Sequence, residues 1–162
     1  MMDALIRLEQ TGFATWVRES PSLWAYPTVL FMHTVGLGFL VGINVAIDLR
    51  LLGVARALPL APMERLFPYM WAGFWINALS GTALLIADAT TKFTNPVFYV
   101  KMIFVVLGVL NMAFLKRALV REEPIAGWSS RSIAISSLLI WTAATTAGRL
   151  MGYLGPKSGL DS

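Results

Sequence analysis

The chain has 162 residues, of which 57% are hydrophobic and 14% are charged, and its mean hydropathy is +0.67. A soluble globular domain has roughly a quarter charged residues, so this composition predicts a single integral membrane domain. The chain has no cysteine, which excludes disulfides and thiolate metal sites. Its formal charge of +4 is too small and too scattered to indicate a nucleic-acid partner.

The first 20 residues predict an amphipathic helix that lies in the headgroup region of the bilayer. Leu5, Leu8, Gly12 and Trp16 recur at helical spacing, and the charged residues of the segment fall largely elsewhere. The segment lacks the uninterrupted apolar run and the small-residue cleavage site of a signal peptide. The alternative interpretation is a polar lead-in without stable structure.

Four apolar runs are long enough to cross about 30 Å of hydrocarbon as helices of about 20 residues. They are residues 23–47, 67–87, 97–115 and 133–154, separated by loops with charges and a Pro or Gly. Helices are expected, because a lone strand cannot satisfy its backbone hydrogen bonds in lipid. The sequence therefore predicts an all-α transmembrane four-helix bundle over residues 21–155, followed by a short tail at 156–162.

An even number of spans places both ends of the chain on one side of the membrane. The other side carries seven basic residues: Arg50, Arg56, Arg65, Lys116, Arg117, Arg121 and Arg131. The side of the termini carries four outside the spans: Arg7, Arg18, Lys92 and Lys157. Basic residues favour the cytoplasmic side, so we predict a bacterial inner-membrane protein with periplasmic termini.

Every predicted span carries an ionisable or hydroxyl-bearing residue in the leaflet nearer the termini. These residues are His33, Asp88, Lys101, Arg149 and Tyr153, in chain order, and His33 is the only histidine. Such groups are costly at membrane depth unless they are paired or solvated, which makes them functional candidates. If the helix faces that carry them converge, the bundle contains a polar chamber.

Residue spacings of three and four define the helix faces that we expect to point inward. In chain order they are His33, Leu37, Leu40 and Asn44; Asn77, Gly81, Leu84 and Asp88; Lys101, Val105, Gly108 and Met112; and Thr142, Thr145, Arg149 and Tyr153. A fainter second layer lies toward the cytoplasmic end of three spans and consists of Asn44, Asn77 and Asn111, which we expect to form hydrogen bonds between helices. Gly38 and Gly42, at a spacing of four, predict close approach of a neighbouring helix. Asp48 and Arg50 predict an ion pair or a backbone tether at the cytoplasmic interface.

Two metal-based interpretations of His33 remain open. As a heme ligand it would bind iron while Lys101 and Arg149 pair with the propionates. A second axial histidine would then have to come from another copy of the chain, or be replaced by Met102 or Met151. As a soft-metal ligand it would hold copper(I) together with methionine thioethers.

The third interpretation of His33 is a packed residue that forms a hydrogen bond with another helix, with Asp88 or Tyr153 as its partner. Such a histidine would also be placed to contact quinone, lipid or a substrate. The sequence shows no nucleophile–base pair, phosphate-binding loop or paired carboxylates that would indicate an enzyme.

A spaced set of motifs adds a resemblance. The motifs are "RESPSLWAYP", "HTVGLGFLVG", "DLRLLG", "SGTALL", "NPVFYVKM" and "AGRLMGY", and they extend from Trp16 to Tyr153. The chain resembles a family of small bacterial four-span membrane proteins of unknown function. The resemblance implies that His33, Lys101 and Arg149 are features of that family. More loosely, the layout is similar to four-helix b-type cytochromes and to copper-resistance membrane proteins.

The leading functional hypothesis is a membrane subunit that binds a cofactor or ligand near His33, most concretely heme b for electron transfer with quinone. The residues assigned to this site are His33, Lys101, Arg149, Tyr153 and Asp88. One alternative is a small transporter for a metal or solute that uses the same chamber. Another is a scaffold subunit that assembles with copies of itself or with a partner membrane protein.

Overall fold

The computed structural model describes residues 2–121 and 129–153, and all regular structure in these ranges is helical. Two short helices come first, α1 (Met2–Glu9) and α2 (Gly12–Glu19). The long helices are α3 (Tyr26–Leu51), α4 (Phe67–Ala87), α6 (Pro96–Arg121) and α7 (Ser130–Tyr153). A 3-10 helix (Ala61–Leu66) precedes α4, and the short α5 (Ala89–Thr94) follows it. The predicted all-α class is confirmed.

All four long helices are long enough and apolar enough to cross a membrane, so the chain is a multi-pass integral membrane protein. The first span continues to Leu51 and the third to Arg121, beyond the predicted ends at 47 and 115. The fourth begins at Ser130, before the predicted start at 133. Three predicted features lie outside the described residues: the span end at Leu154, the tail 156–162 and the charge of Lys157.

Local sequence determines where the spans begin. Proline stands in the first turn of three of the four long helices, where its missing N–H costs nothing: Pro27, Pro68 and Pro96. The side chain of Asn95 accepts a hydrogen bond from the Val97 N–H at 2.9 Å and caps α6. Ser129 accepts one from the Ser132 N–H at 3.2 Å at the start of α7.

The long helices pack as two antiparallel pairs, α3 with α4 and α6 with α7, and α3 joins the pairs by packing against α7. By contrast, α4 and α6 contact each other little, although the 3-10 helix and α5 each contact both of them. We call the end of the bundle where α3 begins and α4 ends the terminal side. The opposite end, where α3 ends and α7 begins, is the loop side.

The closest approach in the bundle lies between α3 and α4. A Cβ atom placed on Gly36 would lie 2.6 Å from the backbone N of Asn77 and 2.8 Å from the carbonyl oxygen of Gly73. Gly73 in turn faces the α3 backbone, where an added Cβ atom would lie 2.9 Å from the carbonyl oxygen of Gly36. By contrast, Gly38 and Gly42 have no such neighbour within 4 Å, so the predicted helix contact at these glycines is not made among the described residues.

The apolar core is concentrated on the loop side. Its large buried members are Leu40, Ile47, Phe67, Met70, Met112, Leu115, Ile133 and Trp141. On the terminal side the fully buried apolar residues are mostly alanines, such as Ala25, Ala87 and Ala89. The loop side is therefore filled by large apolar side chains, whereas the terminal side buries mainly small ones.

The N-terminal segment forms two helices, α1 and α2, rather than the single predicted helix, and they pack on the terminal ends of α4 and α5. The Glu9 carboxylate accepts hydrogen bonds from the backbone N–H and the hydroxyl of Thr90, at 2.6 and 2.7 Å, and so caps α5. Arg18 donates to the carbonyl of Ala87 at 3.2 Å and caps the end of α4. The segment is thus attached to the bundle by polar contacts at two helix ends.

Candidate functional site

His33 lies on the terminal side and is bonded to α4. Its Nδ1 atom is 3.0 Å from the carbonyl oxygen of Asn77 and 3.3 Å from the hydroxyl of Ser80. The Asn77 side chain donates in return to the carbonyl of His33 at 2.8 Å. The prediction that Asp88 or Tyr153 pairs with this imidazole is wrong, because the α4 backbone occupies that position.

This hydrogen bond determines the tautomer of the neutral imidazole. A carbonyl oxygen only accepts, so Nδ1 carries the hydrogen and Nε2 keeps a lone pair. Within residues 2–121 and 129–153, Nε2 has no hydrogen-bond partner. The ring edge lies over Gly81, where an added Cβ atom would be 2.9 Å from Cε1 of His33. His33 is therefore anchored through Nδ1, and among the described residues Nε2 keeps a free lone pair.

Lys101 is the second predicted site residue that points into the terminal half of the bundle. It is half-buried, and its side chain runs past Gly148 of α7, with its Cε and Nζ atoms 3.7 and 3.9 Å from where a Cβ atom would lie. Its ammonium is close enough to His33 for the two groups to interact electrostatically. The imidazole and this cation therefore lie in the same half of the bundle, on α3 and α6, within electrostatic range of each other.

The other predicted site residues do not join this pair. Asp88 forms an ion pair with Lys92, with the carboxylate oxygen 3.4 Å from Nζ, at the junction of α4 and α5. Arg149 is exposed, and Tyr153 has 63% of its surface exposed. The functional roles assigned to these residues stay predictions, but the geometry does not place Arg149 or Tyr153 in an interior chamber.

The rotation of α7 about its own axis explains why Arg149 and Tyr153 do not point into the bundle. The residues it buries are Ile133, Ala134, Ser137, Trp141, Ala144 and Ala147. The indole of Trp141 lies on Gly108 of α6, where a Cβ atom would be 2.8 Å from the ring. Trp141 and Thr142 point about 100° apart on a helix, so the predicted inward face from Thr142 to Tyr153 is wrong.

The predicted inward faces of α3 and α6 agree with the structure, and that of α4 agrees in part. On α3, Leu40 and Asn44 are fully buried, and on α6, Gly108 and Met112 are buried, so both faces point inward as predicted. The predicted face of α4 is half-buried throughout. The residues that α4 buries fully lie beside that face: Phe67, Met70, Gly73, Ser80 and Ala87.

The predicted layer of Asn44 and Asn111 on the loop side belongs to a larger buried polar group, in which sequence reasoning missed Ser137 and Trp141 and did not expect Asp48. We call it the loop-side polar cluster, and its members are Asn44 and Asp48 of α3, Asn111 of α6, and Ser137 and Trp141 of α7. Asp48, Asn44 and Ser137 have no exposed surface. A signal for it was present, because continuing the face through Leu40 and Asn44 by four residues reaches Asp48.

Of the two roles predicted for Asp48 and Arg50, the ion pair is wrong, and the backbone tether is confirmed for Arg50. Arg50 instead donates to the carbonyl of Leu58 at 2.6 Å and to the carbonyl of Arg56 at 3.1 Å, and so holds the loop that follows α3. That loop begins at Gly53, whose φ of +99° favours glycine. Side chains two positions apart on a helix point about 200° apart. Arg50 therefore faces the loop, because Asp48 faces the core.

An outward-facing groove of about 450 Å³ also lies between α6 and α7. Its lining is apolar, with Val97, Phe104 and Leu139 among the residues, and Leu139 is 66% exposed. In a membrane such a groove faces acyl chains. It is lined by residues of α6 and α7 alone and includes neither His33 nor Lys101.

The match to a family model covers residues 22–154, which contain all four long helices and both polar regions. The helices α1 and α2 precede the matched stretch. Comparison with curated proteins and comparison with solved structures each gave no match. Because the matched stretch is most of the chain, this four-span membrane protein belongs to the family described as a family of unknown function (DUF6644), in agreement with the resemblance.

Proposed function

We propose that the chain is a non-catalytic membrane subunit that binds a cofactor on its terminal side through Nε2 of His33. The observation that carries the proposal is the hydrogen bond from Nδ1 of His33 to the Asn77 carbonyl, at 3.0 Å. Metal-ligating histidines commonly donate their other ring N–H to a backbone carbonyl, which fixes the ring and raises the basicity of the ligating nitrogen. His33 has this arrangement.

Heme b is the cofactor that these residues fit best. Its iron accepts an imidazole nitrogen, and its propionates need a nearby cation. His33 would hold the iron, and Lys101, which is half-buried within electrostatic reach of His33, would bind a propionate. Gly81 lets the imidazole pack directly on α4, since an added Cβ atom would lie 2.9 Å from Cε1 of His33. When bound, heme b supplies one-electron transfer, and a membrane-soluble quinone is the proposed redox partner.

The proposal is tested by the absorption spectrum of the protein purified from cells supplied with a heme precursor. We expect a Soret band and about one heme per chain, and we expect His33→Ala to lose the band. Lys101→Ala should retain the band with heme affinity lowered about tenfold, or about 1.4 kcal/mol, because the propionate loses its counter-ion. Thr34→Ala is the matched control, since Thr34 is the exposed neighbour of His33.

A colourless wild-type protein that also fails to bind added hemin would overturn the heme proposal. A Soret band that survives in His33→Ala would overturn the assignment of the ligand. If Thr34→Ala loses heme as His33→Ala does, the loss reflects misfolding rather than ligation.

We further propose that the terminal side faces the bacterial periplasm, on the basis of the basic residues that favour the other side. The chain has no cysteine, so single cysteines at exposed positions can be labelled without background. Thr11→Cys, before α2, should react with a membrane-impermeant maleimide in intact spheroplasts. Ala57→Cys, in the loop after α3, should react only after lysis, and the reverse pattern would overturn the orientation.

A further inference from the structure

The loop-side polar cluster lies where three helices meet. Asn44 and Asp48 are one turn apart on the buried face of α3, and Ser137 and Trp141 are one turn apart on the buried face of α7. The Ser137 hydroxyl approaches the Asp48 carboxyl without forming a hydrogen bond of good geometry. Asn111 of α6 reaches α7 by donating to the hydroxyl of Ser136 at 2.9 Å. The cluster thus spans the contact between the two helix pairs.

Five oxygen atoms of the cluster are buried without a hydrogen-bond partner among the described residues. They are Oδ1 of Asn44, both carboxyl oxygens of Asp48, Oδ1 of Asn111 and Oγ of Ser137. The amide nitrogens are satisfied, because Asn44 donates to the Leu40 carbonyl at 2.9 Å and Asn111 donates to Ser136. The side-chain carbonyl oxygens of both asparagines are therefore free to act as ligands of a cation.

The charge of Asp48 needs compensation. A buried carboxylate without a partner is far too costly to persist, and none of the ion pairs within residues 2–121 and 129–153 includes Asp48. Protonation of Asp48 would remove the charge but would leave the Asn44 and Asn111 oxygens without donors. A bound cation neutralises the carboxylate and satisfies several acceptor oxygens together. A monovalent ion matches the single negative charge, whereas a divalent ion would leave a net buried charge.

We propose that the loop-side polar cluster binds a sodium ion. The Asp48 carboxylate supplies the charge, and the oxygens of Asn44, Asn111 and Ser137 supply neutral ligands, which are the oxygen donors that hard cations take. Trp141 donates only, through its indole N–H, which also has no partner among the described residues. A water molecule that accompanies the ion accepts from this N–H. The site is separate from His33 and does not depend on heme.

The test measures thermal unfolding of the purified protein in lipid nanodiscs, in NaCl and in choline chloride at equal ionic strength. A ligand that binds the folded state raises the midpoint in a concentration-dependent way. We expect the wild-type Tm to rise with NaCl and to stay constant with choline chloride. Direct binding of radioactive sodium should give about one ion per chain.

Two variants locate the ion. Asp48→Asn should lower sodium affinity at least tenfold and abolish most of the NaCl-dependent Tm rise. Ser137→Ala, which removes one neutral ligand, should lower the affinity less and keeps the test available if Asp48→Asn does not fold. His33→Ala is the control and should retain the wild-type sodium dependence, because His33 lies on the terminal side.

The proposal is overturned if the wild type unfolds at the same temperature in NaCl and choline chloride and binds no radioactive sodium. It is also overturned if Asp48→Asn or Ser137→Ala binds sodium as the wild type does. In the first case Asp48 is held as a neutral, protonated carboxyl group. In the second case the ion binds elsewhere in the chain.

Discussion

His33 and Asp48 lie on the same helix, α3, about four turns apart, yet their surroundings differ in kind. His33 is half-buried, and its Nδ1 atom is bonded to the Asn77 carbonyl on α4. Asp48 is fully buried, and both of its oxygens lack hydrogen-bond partners among the described residues. On the terminal side the imidazole is bonded to another helix through one nitrogen, whereas on the loop side the carboxyl group of Asp48 has no such bond among the described residues.

The contrast shows that burial alone is a poor guide to what a polar residue does in a membrane bundle. A half-buried group bonded to a neighbouring helix contributes to packing and can still offer a free atom to a ligand, as Nε2 of His33 does. A fully buried group with unpartnered atoms needs something more than the neighbouring side chains to compensate it. Three experiments test this contrast, in addition to those on heme and sodium.

The largest effect is expected where α3 and α4 approach most closely, beside His33. Gly36→Val should lower the free energy of unfolding by about 3 kcal/mol, because the added side chain has no space against the α4 backbone. The measurement is SDS-induced unfolding in mixed micelles. Gly38→Val is the matched control, since nothing lies within 4 Å of its Cβ position. Equal losses in both variants would mean that the close approach does not hold the His33 bonds in place.

An intermediate effect is expected from replacing each polar group by an apolar one in sodium-free buffer. His33→Phe should lower the free energy of unfolding by about 1 kcal/mol, because a satisfied hydrogen bond is lost. Asp48→Leu should raise it by about 2 kcal/mol, because an uncompensated buried carboxyl is removed. The same SDS-induced unfolding assay shows whether each variant raises or lowers the free energy of unfolding. If both variants destabilise the protein, the side chains around Asp48 already compensate it.

The smallest effect is expected from the two buried serines. Ser80→Ala should lower the free energy of unfolding by about 0.6 kcal/mol, the average for a hydrogen bond between membrane helices. The Ser80 hydroxyl donates to the Ile76 carbonyl at 2.5 Å and lies beside Nδ1 of His33. Ser137→Ala should leave the free energy of unfolding unchanged in sodium-free buffer, since the Ser137 hydroxyl has no hydrogen-bond partner within the described residues. A loss at Ser137 as large as at Ser80 would remove the difference between the two regions.

Part of the candidate site could be predicted from the sequence, and part could not. The inward faces of α3 and α6 were predicted correctly from His33, Asn44 and Lys101, because these groups are too costly to face lipid. The face of α7 was predicted wrongly from Thr142, Thr145, Arg149 and Tyr153, of which only Thr145 is half-buried. A threonine hydroxyl can bond within its own helix, as Thr145 does to the Trp141 carbonyl at 2.9 Å. Its polarity therefore says little about which way it faces.

The sequence by itself determined the helical class, the number of spans and the family, because length, hydropathy and the positions of proline and charge fix where helices cross a bilayer. The tertiary structure decided the rotation of α7, the two-helix attachment of the N-terminus and the partners of His33 and Asp48. Spans that are apolar on every side carry no periodic signal for their buried face. Their orientation follows from contacts such as Gly36 with Gly73 and Trp141 with Gly108, which exist only when the helices are assembled.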